Sequence, residues 1–187
     1  MTTRRVPRLT DWNVLVTLPE NTFHEARRML SRWGRIEPTG YYNVLVMHVA
    51  DPNAFLADFA AAVAETPGLL NFVSHVMPAQ RSFPFDSSEV FEREASAIAF
   101  HWLPHLAGAS FYIRLHRRGF KGIISTQPEE RFLDELLLTA LADAGTPGRI
   151  NFADPDKVIQ IETVDGRAGM SLWTREDMHR FPFLGVD

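Results

Sequence analysis

The chain has no cysteine. That excludes disulfides, thiolate metal centres and cysteine nucleophiles, and it fits a cytoplasmic protein. Long apolar runs are missing too. The charged start at Arg4, Arg5 and Arg8 is followed by no apolar core of the kind a signal peptide needs, and no stretch is long and apolar enough to cross a bilayer. A cytoplasmic location without membrane attachment is therefore expected. Excess positive charge is also lacking: 19 Lys and Arg stand against 23 Asp and Glu, a net charge of −4. A general nucleic-acid coat protein is excluded by that balance, and any polyanion must be met by a local patch. No Gly-x-Ser-x-Gly elbow, phosphate-binding P-loop or dinucleotide Gly-x-Gly-x-x-Gly occurs. No cofactor is expected, and no serine has a visible catalytic partner.

What is present is an ordinary globular composition, 45% apolar over 187 residues, enough for one large domain or two small ones. Trp12 to Leu18 suits a buried strand. Thr22 and Glu25 predict a capping box for a helix whose face is Phe23, Ala26, Leu30 and Trp33, with Gly34 as its stop. Tyr41 to Val49 reads as a second strand. Asp51-Pro52 opens a helix that buries Phe55, Phe59 and Ala62 and ends at Pro67-Gly68. Phe72 to Met77 is a third strand. The order β-α-β-α-β predicts a ferredoxin-like sandwich over residues 10–80.

Pro78 to Pro84 breaks the pattern and marks the boundary, with a second domain over residues 86–187. Asp86 and Glu89 are expected to cap a helix with the stripe Phe91, Ala95, Ile98, Ala99, Trp102 and Leu106, kinked at Pro104. Thr126-Gln127-Pro128-Glu129 predicts another capping box, for a helix with face Phe132, Leu133, Leu136, Leu137, Ala140 and Leu141, closed by Gly145. A short strand at Arg149 to Phe152, a turn at Asp154-Pro155-Asp156, and strands at Lys157 to Val164 and Ala168 to Trp173 follow. The last two are joined through Asp165-Gly166. A short helix around Glu176 completes the fold, which as a whole is α/β of the α+β type.

The most informative stretch lies between those helices. From Phe111 the sequence alternates, with Phe111, Ile113 and Leu115 on one face and Tyr112, Arg114 and His116 on the other. Arg117, Arg118 and Lys121 then cluster among Gly119 and Gly122, and no acid falls between Phe111 and Ser125. Arginine forks suit phosphates, glycines permit close approach of a backbone, and Tyr112 could stack on an unpaired base. The candidate RNA-binding residues are Tyr112, Arg114, His116, Arg117, Arg118, Gly119 and Lys121. Arg4, Arg5 and Arg8 form either a solvated terminus or a basic arm.

From about Asp86 onward the chain resembles a THUMP domain, an RNA-binding module of several tRNA-modifying enzymes. The resemblance is carried by the helix from Ser87, the strand Phe111 to Leu115 running into Arg117-Arg118, and Ser125 before the next helix. The Asp154-Pro155-Asp156 turn and the strands Val158 to Glu162 and Gly169 to Leu172 complete it. THUMP domains often follow a ferredoxin-like domain, so the resemblance extends over nearly the whole chain. It implies binding of tRNA, commonly at the 3′ end of the acceptor stem, through Arg117, Arg118 and Lys121 with Arg114 and His116 close by. Only the tail Arg180 to Asp187 follows the THUMP-like region. The resemblance therefore implies a stand-alone, non-catalytic adaptor. The closest analogy is the adaptor that presents tRNA to an RNA cytidine acetyltransferase.

Other patterns point elsewhere. Asp154 and Asp156 would need a third ligand to hold a cation and read as a turn held by the Asp154 side chain. His101 and His105 have two-histidine spacing, but Pro104 disturbs that turn. The helix start at Pro128 offers a phosphate site that Glu129 and Glu130 oppose. Two rival functions remain open: a small-molecule enzyme using His116 with Arg114, and a protein-interaction scaffold docking through the Phe-Pro-Phe segments at Phe83 to Phe85 and Phe181 to Phe183.

Overall fold

The computed structural model describes residues 10–186. Arg4, Arg5 and Arg8, and with them the basic-arm expectation, lie outside those residues. The chain divides into two compact units, Met1–Pro78 and Ala79–Asp187.

In the first unit, β1 (Val14–Thr17), α1 (Phe23–Leu30), β2 (Gly34–Pro38), β3 (Val44–Val49), α2 (Pro52–Glu65) and β4 (His75–Pro78) follow in that order. The sheet order is β2-β3-β1-β4 with every neighbour antiparallel. A β-α-β-β-α-β chain in this order is the ferredoxin-like arrangement. The extra strand is β2, which sequence patterning did not suggest. Gly34 does not simply stop α1; it opens this strand. A Cβ there would lie 2.1 Å from the His48 carbonyl oxygen, so only glycine lets β2 approach β3. Asp51 caps α2 as expected, accepting from the N–H groups of Asn53 and Ala54. Thr22 stands at the start of α1 but makes no cap; its hydroxyl donates to the Pro19 carbonyl instead. Ala26 and Leu30 of α1 are buried, as are Phe55 and Phe59 of α2, and Trp33 packs edge-on against both phenylalanines.

The second unit contains β5 (Arg81–Pro84), α3 (Ser88–His101), α4 (Leu103–Leu106), β6 (Ser110–His116), α5 (Thr126–Asp143), β7 (Arg149–Ile150), β8 (Lys157–Val164), β9 (Arg167–Thr174) and α6 (Arg175–Arg180). Its sheet order is β5-β9-β8-β6-β7. Strand β6 runs parallel to both β7 and β8, while β9 is antiparallel to β8 and β5. The segment expected to break the chain thus contributes an edge strand, β5. The expected kink at Pro104 is a full break, and it leaves His101 and His105 on separate helices.

One face of this sheet carries α3 and α5. Phe91, Ala95 and Ala99 meet Leu133, Leu137 and Leu141 over Phe111, Ile113, Leu115, Ile159 and Ile161. The alternation expected in β6 is therefore present. Phe83 and Phe85 belong to this core, and Phe181 and Phe183 are buried as well. Neither Phe-Pro-Phe segment is available to dock a partner, because its rings are consumed by the unit's own packing.

Two helix starts differ from expectation. Ser87, not Asp86, caps α3, its hydroxyl accepting from the Val90 N–H. At α5 the N-cap is Ser125 with no side-chain bond, so the Thr126–Glu129 box does not form. Glu129 turns inward instead and is 5% exposed. Its buried Oε2 has no donor, and burial, then repulsion from Glu92 and a hydrogen bond donated to it, push its pKa up to about 7. A protonated Glu129 shares its proton with Glu92 across the α3–α5 contact.

The direction of that shift sets a pH dependence. The folded pKa lies above the ordinary 4.5, so the folded state binds a proton that the unfolded state has lost. This contribution is fully present below the unfolded pKa and disappears as pH rises through about 7. We expect the parent to lose about 2 kcal/mol more stability than Glu129→Gln between about pH 5 and pH 8 in urea unfolding. Parallel pH profiles would contradict the assignment.

Candidate nucleic-acid interface

The sheet face of the second unit turned away from α3 and α5 is built of three cross-strand rows. Register places Tyr112 beside Val158 and Trp173, Arg114 beside Gln160 and Ser171, and His116 beside Glu162 and Gly169. The tail after α6 crosses the first row. The Tyr112 hydroxyl donates to the Val186 carbonyl at 3.2 Å, and Phe181, Phe183, Leu184 and Val186 are buried. Trp173 Nε1 donates to Gln160 Oε1 at 2.8 Å, and Gln160 Nε2 donates to Glu162 Oε1 at 3.2 Å. A polar chain thus runs from the covered end of the face toward β6's last residues.

It ends on Glu162, whose side chain is 5% exposed. His116 Nδ1 lies 2.8 Å from Glu162 Oε1, and Arg118 Nη1 donates to Glu162 Oε2. Backbone bonds bring Arg118 to this position. Its N–H donates to the Thr163 hydroxyl, and its carbonyl accepts from the Asp165 N–H. A buried carboxylate needs such partners, since leaving it unpaired would cost several kcal/mol.

These contacts correct part of the expected strip. Tyr112 is buried at 8% and committed to the tail, so it cannot stack on a base. His116 and Arg118 are held by a carboxylate from the neighbouring strand and are structural. Gly119 adopts φ 84, and its carbonyl accepts from Arg117 Nη1 at 2.5 Å; its conformational freedom serves the turn itself. Phe120 follows at φ 52, and its ring packs against Phe85, which pins the loop to the core.

Three cations remain. Arg114 has a buried Nε with no hydrogen-bond partner, and its guanidinium has no carboxylate among the described residues. Arg117 bonds only its own loop. Lys121 is exposed. Arg114, Arg117 and Lys121 are therefore the groups the fold leaves to meet an anion at this strand end.

Carboxylates lie along the other edge of β6. Strand β7 covers only Ser110 and Phe111, so the next outward N–H groups would be orphaned. Glu130 Oε1 accepts from Leu115 N–H at 2.8 Å, and Asp134 accepts from Ile113 N–H. Burial, with Glu130 and Glu135 adding, pushes Asp134 up to about 7 against that hydrogen bond. The Asp-Pro-Asp turn is likewise structural. Asn151, rather than Asp154, holds it by accepting from the N–H groups of Ala153 and Asp154. The Ser110 N–H and hydroxyl hold the Asp156 carboxyl below the usual range, and Arg175 pairs with both aspartates.

No family model and no curated protein matches the chain. Among solved structures it is similar to PH1313 from Pyrococcus horikoshii Ot3, with a TM-score of 0.59 and 13% identity over 86% of this chain and 54% of that one. It is similar to TrmN from Thermus thermophilus, with a TM-score of 0.55 and 17% identity over 85% of this chain and 44% of that one. It is also similar to a 4-thiouridine synthetase in complex with RNA and bound ATP, with a TM-score of 0.54 and 14% identity over 86% of this chain and 41% of that one. The chain spans about half or less of the length of each. The likeness establishes a shared fold, in keeping with the THUMP-like α/β arrangement expected from the sequence. Among the described residues no helix is long and apolar enough to cross a membrane.

Removing Glu162 should strand His116 and Arg118. We expect Glu162→Ala to lower stability by about 3 kcal/mol, whereas Arg117→Ala and Lys121→Ala stay within about 0.5 kcal/mol of the parent. Denaturant midpoints of the three variants check this, and equal midpoints would contradict the structural role given to Glu162.

Proposed function

We propose that this protein binds RNA, specifically tRNA at the acceptor stem and 3′ end, and that it acts without catalysis of its own as an adaptor for a tRNA-modifying enzyme. An RNA cytidine acetyltransferase is the model for that partner. The reading rests on one observation above all. On a chain of net charge −4, Arg114, Arg117 and Lys121 fall within eight residues at the end of β6, and none of them is paired with a carboxylate among the described residues.

The chemistry of the loop agrees. A planar guanidinium presents a fork that matches two phosphate oxygens, and an ammonium adds a mobile point charge. Because His116 and Arg118 are already fixed by Glu162, the loop is rigid before RNA arrives, and little ordering cost accompanies binding. The acidic remainder of the chain limits non-specific attachment. The similarity to a protein whose structure was solved with RNA supports the same class of ligand here.

Three phosphate contacts on a single strand give a slope of log affinity against log salt of about −2. We expect the parent to show that slope with tRNA. The triple variant Arg114→Ala, Arg117→Ala, Lys121→Ala should flatten it nearly to zero with an unchanged circular dichroism spectrum. A parent that shows no salt-sensitive affinity for tRNA, or a triple variant that binds like the parent, would sink the reading.

A further inference from the structure

Tyr112 is covered, yet an open aromatic ring stands directly against it. Phe152 is 71% exposed, and its centroid lies 5.4 Å from that of Tyr112, tilted by 45°. The geometry points to Phe152 and Arg114 as a single-nucleotide step of the RNA interface: an unpaired base stacks on the Phe152 ring while its phosphate meets the Arg114 guanidinium. This inference rests on the RNA-binding reading and names where an unpaired nucleotide would sit.

The exposure of Phe152 is held by its loop. Burial of such a side chain would gain about 1.5–3 kcal/mol, and the loop keeps this ring in water instead. Here the loop is braced on both sides of it. Asn151 donates from Nδ2 to the Asp154 carbonyl at 2.8 Å while its Oδ1 accepts two N–H groups. Asp156 is clamped to Ser110, and its N–H donates to the Ser110 hydroxyl at 3.0 Å. Tyr112 backs one side of the Phe152 ring and leaves the rest open.

A cation follows on the same strand. Arg114 comes two residues after Tyr112, the ring that Phe152 packs on, and shares its strand face, with about 7 Å between the two backbone positions. Its guanidinium makes no hydrogen bond or ion pair among the described residues, whereas Arg118 is held by Glu162 and Arg167 donates to Ser82. The nearby aspartates do not oppose an anion strongly, because Arg175 pairs with both. Stacking on an aromatic ring is tolerant of base identity, whereas hydrogen bonding at base edges is not, so this step recognises an unpaired nucleotide and not a sequence.

The experiment compares two RNA hairpins of the same duplex length, one blunt and one carrying four unpaired 3′ nucleotides with 2-aminopurine in the tail. The parent, Phe152→Ala and Phe152→Tyr are titrated with each. We expect Phe152→Ala to bind the tailed hairpin about tenfold more weakly than the parent and to lose the 2-aminopurine quenching. Phe152→Tyr should retain both, and the blunt hairpin should bind all three proteins alike. Equal affinity and equal quenching for the parent and Phe152→Ala would overturn the inference while leaving RNA binding intact, and would turn the ring over to a protein contact. A parent that binds neither hairpin would remove the RNA reading itself, and this step with it.

Discussion

The second unit depends on one buried negative charge. Glu162 sits on β8 where the sheet gives way to the β6 loop, and its two oxygens are taken by residues two positions apart on the neighbouring chain segment, His116 and Arg118. A charged carboxylate that lies 5% exposed needs partners for its oxygens, and leaving it unpaired costs several kcal/mol. That requirement fixes where β6 ends, which way the loop turns, and which arginine faces inward. It also decides which cations are left over. The proposed RNA contact is made of what Glu162 does not consume.

A second constraint works from the opposite edge. Strand β6 is paired with β8 from Phe111 to His116 but with β7 only at its start. Carboxylates of α5 replace the missing strand, Glu130 at Leu115 and Asp134 at Ile113. An edge whose N–H groups are taken by side chains does not offer them to another strand at that point. Asp134 is pushed up to about 7 by the same burial that makes it useful there. Positive groups on the face and acids on the edge are thus segregated by the geometry of a single strand.

Much of this was legible in the sequence and some of it was not, for physical reasons. Period-two alternation in Phe111 to His116 showed β6, and the leucine spacing from Leu133 to Leu141 showed α5, because burial on one face leaves that trace. Strand β2 left none. Gly34 to Pro38 has a single large apolar residue, Ile36, and is held by backbone pairing at an edge of its sheet. β5 was hidden in the same way by prolines. The cationic strip was visible as composition, but its division into structural and available members was not. Glu162 lies 46 residues from His116 in sequence, and only the parallel register of β6 and β8 brings them together. By sequence Phe152 ends a short strand, and an Asn-Phe-Ala-Asp stretch carries no sign that its ring stays in water. Capping motifs misled most. Thr126 to Glu129 satisfies the pattern, yet Glu129 is turned inward beside Glu92 and no box forms at the helix start.

The division of labour among the arginines can be read directly from their side-chain Nε–Hε resonances in a nitrogen-15 NMR titration with tRNA. If Glu162 holds Arg118 while Arg114 and Arg117 await phosphate, the Arg118 signal is slow to exchange in the free protein and stays in place as RNA is added. The Arg114 and Arg117 signals sharpen and move together with the fraction bound. Movement of Arg118 with Arg114 and Arg117 unchanged would contradict the account.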